Sequence, residues 1–215
     1  MARAVLLSTA YFPPAEYFFL IAHSSKVLIE KWENYHKQTY RNRCRILGAN
    51  GPLMLTVPVL RGSFHKTPLR DLQIDNSRRW RELHLRSLSS AYATAPFYEY
   101  YFDAISTVIR KPFSFLLDLN TEALSAVSDA IGITTETAFT EEYFPEGTFT
   151  EDYRYLISPK LPSPVDGYKD MPYMQVFAER FGFVPGLSII DVLLNNGPGT
   201  GALLLGSLAL KSEQE

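Results

Sequence analysis

The sequence predicts an α/β protein: an N-terminal βαβ unit with a mostly parallel sheet and a β-hairpin, followed by a mainly helical C-terminal half. Three observations carry this prediction. The first thirty residues read apolar run, turn, helix, apolar run. A "GANG" turn separates two strand-like runs between residues 39 and 60. Beyond residue 76 the apolar spacing changes to the helical period. At 215 residues the chain reads as one domain, 1–215, with an α/β part carrying basic loops over 1–75 and a mainly helical part over 76–215.

The elements follow in order. "AVLLS" is a short apolar run before "TAYFPP" and predicts a buried strand. Pro14 suits a helix's first turn, where its missing N–H would have no partner anyway. "AEYFFLIAHS" therefore reads as helix and "KVLIEKW" as the next strand, and a parallel pair is the usual outcome of such a unit. "QTYRNRCRIL" reads as a strand with Arg41, Arg43 and Arg45 on one face, paired through the turn with "PLMLTVPVL". Residues 61–71 read as a polar loop carrying Arg61, Lys66 and Arg70. Asn76 is the expected cap of a helix through Trp80, Leu88 and Tyr92, Pro96 separates it from the next, and Pro112 ends that one. Asn120 is the expected cap and Gly132 the expected stop of a third helix. Residues 133–172 are acidic and read as a long covering loop, and short helices punctuated by Gly and Pro close the chain.

Composition excludes several classes. An apolar fraction of 46% with 20% charged residues is that of a folded chain. Cys44 is the single cysteine, so no internal disulfide forms. Met1 to Leu7 is too short for a signal core, and "GALLLGSLAL" is too short to span a bilayer. A cytoplasmic protein without a membrane span is the expectation. The net charge of −2 divides unevenly: residues 1–90 hold 14 Lys and Arg against 6 Asp and Glu, and residues 91–215 hold 7 against 17. That division points to an anionic ligand or surface engaged by the N-terminal half, or simply to two solvated faces of opposite sign, and a homo-oligomer is compatible with either. A near-neutral isoelectric point and the lack of a motif argue against nucleic acid.

The familiar catalytic devices are missing. No G-x-x-x-x-G-K-[ST] or G-x-G-x-x-G follows the first strand, "NGPGTG" comes after an apolar helix, and no G-x-S-x-G occurs. His23, His36, His65 and His84 are scattered, and one cysteine offers no zinc spacing, so no metal is expected and no cofactor is indicated. What remains is a polar set. His84 lies one turn after Trp80; a histidine so placed is more often a satisfied core residue, yet imidazole suits a base at neutral pH. Arg41 and Arg43 are shaped to grip a carboxylate or phosphate bidentately, although a solvated strand face is the more usual account of such a pair. Tyr11, Tyr17 and Trp32 offer faces for stacking, or simply core.

"LLSTAYFPPAEYFFLIA", "ENYHKQTYRNRCRILGANGPLMLTVPV", "WRELHLRSLSSAYATAPFYEYY" and "LSIIDVLLNNGP" resemble, in order and spacing, the WbqC-like family. The resemblance covers most of the chain, least distinctly over 111–172. It implies a link to bacterial surface-polysaccharide (O-antigen) pathways and, for some members, glycine transfer. It also implies a shared site made of Tyr11, Pro13 and Tyr17; Asn34, Tyr35, Lys37, Gln38, Tyr40, Arg41, Asn42 and Arg43; and His84 with Tyr92. This chain departs from the pattern at His36, where Gln is expected, and at Leu85, where Trp is common. Glu30 and Glu33 stand where many members carry an acidic pair. The reading that follows is a transferase moving a small acyl or aminoacyl group, glycyl among them, onto a sugar, with His84 as base. A non-catalytic binder of an anionic ligand or partner in the same pathway is the alternative. A nucleotidylyltransferase-like enzyme ranks third, because the loop lacks paired histidines.

Overall fold

The computed structural model describes residues 4–60, 67–161 and 165–206. Arg61, His65 and Lys66 of the expected basic loop, and the last residues of the tail, lie outside them. Strand β1 (Ala4–Ser8) leads through helix α1 (Ala15–Ala22) to β2 (Lys26–Glu30). The two strands pair in parallel from Ala4 against Lys26 to Ser8 against Glu30, so their carboxyl ends are level. The βαβ unit is the one the apolar pattern predicts.

A third parallel strand, β5 (Glu136–Phe139), adds to the far edge of β2. It falls inside the stretch expected to be all loop. The correction has a physical reason: "ETAF" is too short and too exposed to show a period, and β2's free edge supplies the hydrogen bonds that make it a strand. From β5 the chain crosses back, and residues 151–153 pair with Leu6 through Leu6 N–H to Glu151 O and Tyr153 N–H to Leu6 O.

Helix α1 is buried along Ala15–Ile21 because α6 (Ile189–Asn196) and α7 (Gly199–Gly206) pack over it. A helix apolar on every side needs such cover. The hairpin of β3 (Arg43–Gly48) and β4 (Gly51–Thr56) turns at Ala49 and Asn50, as "GANG" predicts. Helix α2 (Trp80–Tyr92) lies on β3 and against α3 (Tyr98–Arg110), which in turn packs on α4 (Leu116–Ile131) and α6. A four-residue helix, α5 (Ala178–Phe181), precedes α6.

Both expected asparagine caps are corrected. α2 starts at Trp80, and Asn76 instead donates its side-chain N–H to Phe113 O at 2.9 Å. α4 starts at Leu116, which leaves Asn120 inside its second turn. Gly132 does stop α4, in the left-handed region at φ 75°.

"NGPGTG" proves to be a packing device. Gly197 ends α6 at φ 53°, and a Cβ there would sit 2.5 Å from the Phe97 ring. Backbone strain and a clash with the Phe97 ring both act at this position. Gly197→Ala is therefore expected to cost about 2–3 kcal/mol in urea unfolding. Gly206→Ala, with nothing within 4 Å of its Cβ, should change stability by less than about 0.5 kcal/mol.

Candidate functional site

The residues singled out in the sequence separate into four places. The first is a buried charge network at the carboxyl ends of β1 and β2. Arg41 donates from Nε to Glu33 Oε1 at 3.0 Å and from Nη2 to Glu33 Oε2 at 2.7 Å, a fork-to-fork pair with both side chains sealed from solvent. Ser8, the last residue of β1, accepts from Arg41 Nη2 at 2.6 Å and turns its single hydroxyl proton toward Glu33 Oε1 or Arg154 O. Tyr17 donates to Ser8 O at 2.8 Å, which ties α1 to the same point.

Arg154 continues the network. It forks onto Asp152 at 2.9 and 2.6 Å and reaches Phe144 O at 2.8 Å and Glu30 Oε2 at 3.4 Å. Glu30 is also cradled by Trp32 N–H and the Thr140 hydroxyl, each at 2.8 Å, and by Phe144 N–H at 3.2 Å. The segment 140–154 is thus strapped across the strand ends by buried charge. Arg154 and Asp152 carry no signal in the sequence, because their partners Glu30 and Leu6 are more than a hundred positions away.

Arg41 is consequently not on a strand face with Arg43 and Arg45. Residues Tyr40–Asn42 form one 3₁₀ turn and β3 begins only at Arg43. The alternation holds from there: Cys44 and Ile46 are buried while Arg43 and Arg45 are half-buried.

The second place is an open cleft of about 550 Å³ where Tyr35, Lys37, Gln38, Asn42 and Arg43 come together. β4's end and the approach to α2 complete it with Thr56, Asp75 and Arg78. Three cations face one carboxylate, so the cleft is electropositive. Arg78 pairs with Asp75 at 3.3 Å but is largely exposed. Asn42 is buried, donates to Val57 O at 2.8 Å, and has no hydrogen-bond partner for its Oδ1. Arg43 Nε is likewise buried without a partner. Burial pushes the Tyr35 hydroxyl above its usual range, against the lowering pull of Arg43 and Arg41, so it stays protonated at neutral pH. Gln38 turns the loop at φ 60°, a conformation uncommon for a non-glycine residue.

The third place is internal. His84 is 1% exposed and lines neither this cleft nor the neighbouring one before α2. Its Nε2 lies 3.2 Å from Thr56 O, which only accepts, so Nε2 carries the proton and Nδ1 accepts from Tyr11 O–H at 3.0 Å. Both ring nitrogens are committed. Burial holds its pKa down at about 4. The fourth place is Tyr92, which donates to Asp191 Oδ2 at 2.7 Å and accepts from Leu47 N–H at 3.2 Å, joining α2, α6 and the hairpin inside the core.

Of the remaining residues, Asn34 is exposed and bridges to Pro68. Pro13 O accepts from Ile189 N–H at 2.9 Å, and Tyr40 O from Tyr11 N–H at 2.8 Å. Between them Phe12 sits at φ 41°, a strained value for a bulky residue, held by Ser188 Oγ donating to its carbonyl at 2.7 Å. Among the described residues no group of three or more His, Cys, Asp or Glu is arranged to hold a metal, and no helix is long and apolar enough to cross a membrane.

The WbqC-like protein family matches residues 9–157, a span that includes the cleft, His84 and the charged residues of the network. The chain belongs to the WbqC-like family. An uncharacterised protein of Mycobacterium tuberculosis, Rv1507c, is 29% identical over 226 residues, covering 92% of this chain and 95% of that one. No solved structure matches. The family span runs through the strap to just beyond Arg154, so every charged member of the network lies within it, and Ser8 stands one residue before its start.

Two predictions follow from this geometry. Glu33→Gln leaves Arg41 buried without its counter-charge and should cost about 3–5 kcal/mol in chemical unfolding. Because His84 is neutral in the fold with its pKa below the ordinary 6.5, the folded state binds fewer protons than the unfolded state. The stability it confers is complete above pH 6.5 and is lost as pH falls toward 4, by up to about 3 kcal/mol. His84→Gln should flatten that stretch of the stability profile measured by unfolding at stepped pH.

Proposed function

We propose that the basic cleft holds the anionic group of a glycan-linked substrate and that the protein is a transferase. It moves a small acyl or aminoacyl group, glycyl among them, onto a sugar of a surface-polysaccharide pathway. The observation that carries this reading is the convergence of Lys37, Arg43 and Arg78 on one cleft, with the Nε of Arg43 unpartnered inside the protein. A phosphate or carboxylate accepts from a guanidinium in two places at once, which is the match such a donor set favours. Gln38 and the protonated Tyr35 hydroxyl add neutral donors on the same wall. In the transfer, the sugar's amine or hydroxyl bonds to the acyl carbon, the donor's leaving group departs with its electron pair, and the proton lost by the nucleophile passes to that leaving group.

One observation favours the non-catalytic alternative. His84, the natural base, has both nitrogens engaged, and among the described residues the cleft is lined by no histidine or cysteine. The same ligand would then be bound and presented rather than modified.

Calorimetric titration with inorganic phosphate and with nucleotide-sugars tests the cleft. Arg43→Ala should weaken anion binding about tenfold or more, and more strongly at low salt, while Arg110→Ala, exposed on α3, should not. Equal binding by wild type and Arg43→Ala would remove the assignment. Mass spectrometry of sugar incubated with a glycyl donor then separates the readings: an acylated product supports the transferase, and binding without product supports the binder.

A further inference from the structure

A second cavity, of about 370 Å³, lies apart from the basic cleft, between α4 and the carboxyl ends of the parallel strands. Every strand of that sheet brings its end to it: Thr9 and Ala10 follow β1, Ile29 is near the end of β2, and Thr137 to Phe139 close β5. Ligands of open α/β sheets bind outside the carboxyl ends of the strands. The opposite wall is α4, which presents Asn120, Thr121, Leu124, Ser125, Ser128 and Asp129 to the cavity, polar at every position but one. Its apolar stripe of Leu116, Leu119, Ala123, Val127 and Ile131 is buried on the other side, in the core shared with α3.

We infer that this cavity is a binding site for a neutral, hydroxyl-rich ligand of monosaccharide size. Three features select that chemistry. Asn120 is 1% exposed; its Nδ2 is spent on Arg41 O at 2.8 Å, and its Oδ1 has no hydrogen-bond partner, an acceptor whose desolvation is uncompensated inside the protein. The lining is rich in hydroxyls, which both donate and accept, as sugar hydroxyls do. Among the described residues, Thr9, Ser125 and Ser128 keep theirs without a protein partner, whereas Thr121 and Thr135 donate to the carbonyls of Leu117 and Ile21 and leave an acceptor face. The third feature is charge: Asp129 is the sole acidic or basic side chain of the lining, which disfavours an anion, and Phe139, half-exposed with Lys31 Nζ 5.6 Å from its ring centroid, adds an apolar ring edge. The volume lies at the lower end of the range of about 300–1,000 Å³ typical of small-molecule sites, which fits one ring rather than an oligomer.

Saturation-transfer NMR on the full chain with the methyl glycosides of glucose, galactose and N-acetylglucosamine tests this. At least one should show transfer. Ser125→Leu, at an exposed helix position that leaves the melting temperature unchanged, should weaken it about tenfold or more by filling the cavity, and Asn120→Leu should do the same. Arg43→Ala should leave glycoside binding intact, so failure of the cleft assignment and failure of this one are told apart. Absence of transfer from all three glycosides, undiminished transfer in Ser125→Leu, or loss of transfer in Arg43→Ala overturns the proposal.

Discussion

The forked pair of Glu33 and Arg41 is the constraint on which the rest of the N-terminal half depends. Two charges sealed from water are expensive to bury, and only a full set of hydrogen bonds offsets that cost. Here the set is supplied by the end of β1 through Ser8 and by the strap through the carbonyl of Arg154. Geometry good enough to satisfy both ions leaves little freedom to the loops that carry them. The loop after β2, the turn at Tyr40–Asn42 and the strap must all arrive together. The strained Phe12 next door is a further sign that this region is over-determined by its surroundings.

That constraint decides which arginine does what. Once Arg41 is committed inward, the chain makes a 3₁₀ turn, and the strand face starts two residues later with Arg43. Arg43 then faces the open cleft beside Lys37 and Arg78. Two arginines of one short segment thus serve opposite ends: Arg41 stabilises the frame, and Arg43 lines the open cleft.

The same turn also lies between two chemically different cavities. Asn120 holds the carbonyl of Arg41 from the hydroxyl-lined side, and Asn42, one residue on, lines the basic cleft. Each asparagine spends its amide N–H₂ on backbone and has its amide oxygen unpartnered and buried. One wall is cationic and the other carries hydroxyls with one carboxylate, so the two cavities differ in the chemistry they offer.

The βαβ start, the hairpin at "GANG", the helical second half and the stop at Gly132 were legible in the sequence, because each rests on local pattern: apolar period, turn residues or a left-handed cap. The cluster of Tyr35, Lys37, Gln38, Asn42 and Arg43 was legible too, since neighbours in one short segment stay neighbours in space. The place of β5, the strap with Arg154, the inward commitment of Arg41 and the polar face of α4 were not. Nor was the position of His84, which on a helical wheel looks the same whether its ring meets a ligand or meets Tyr11 and Thr56 O. The sequence by itself determined which segments become strand, turn or helix and where the positive charge lies along the chain. Only the tertiary structure decided which charges are spent on one another, because partners such as Glu30 and Arg154 meet through folding across 124 positions, and no local pattern records such a contact.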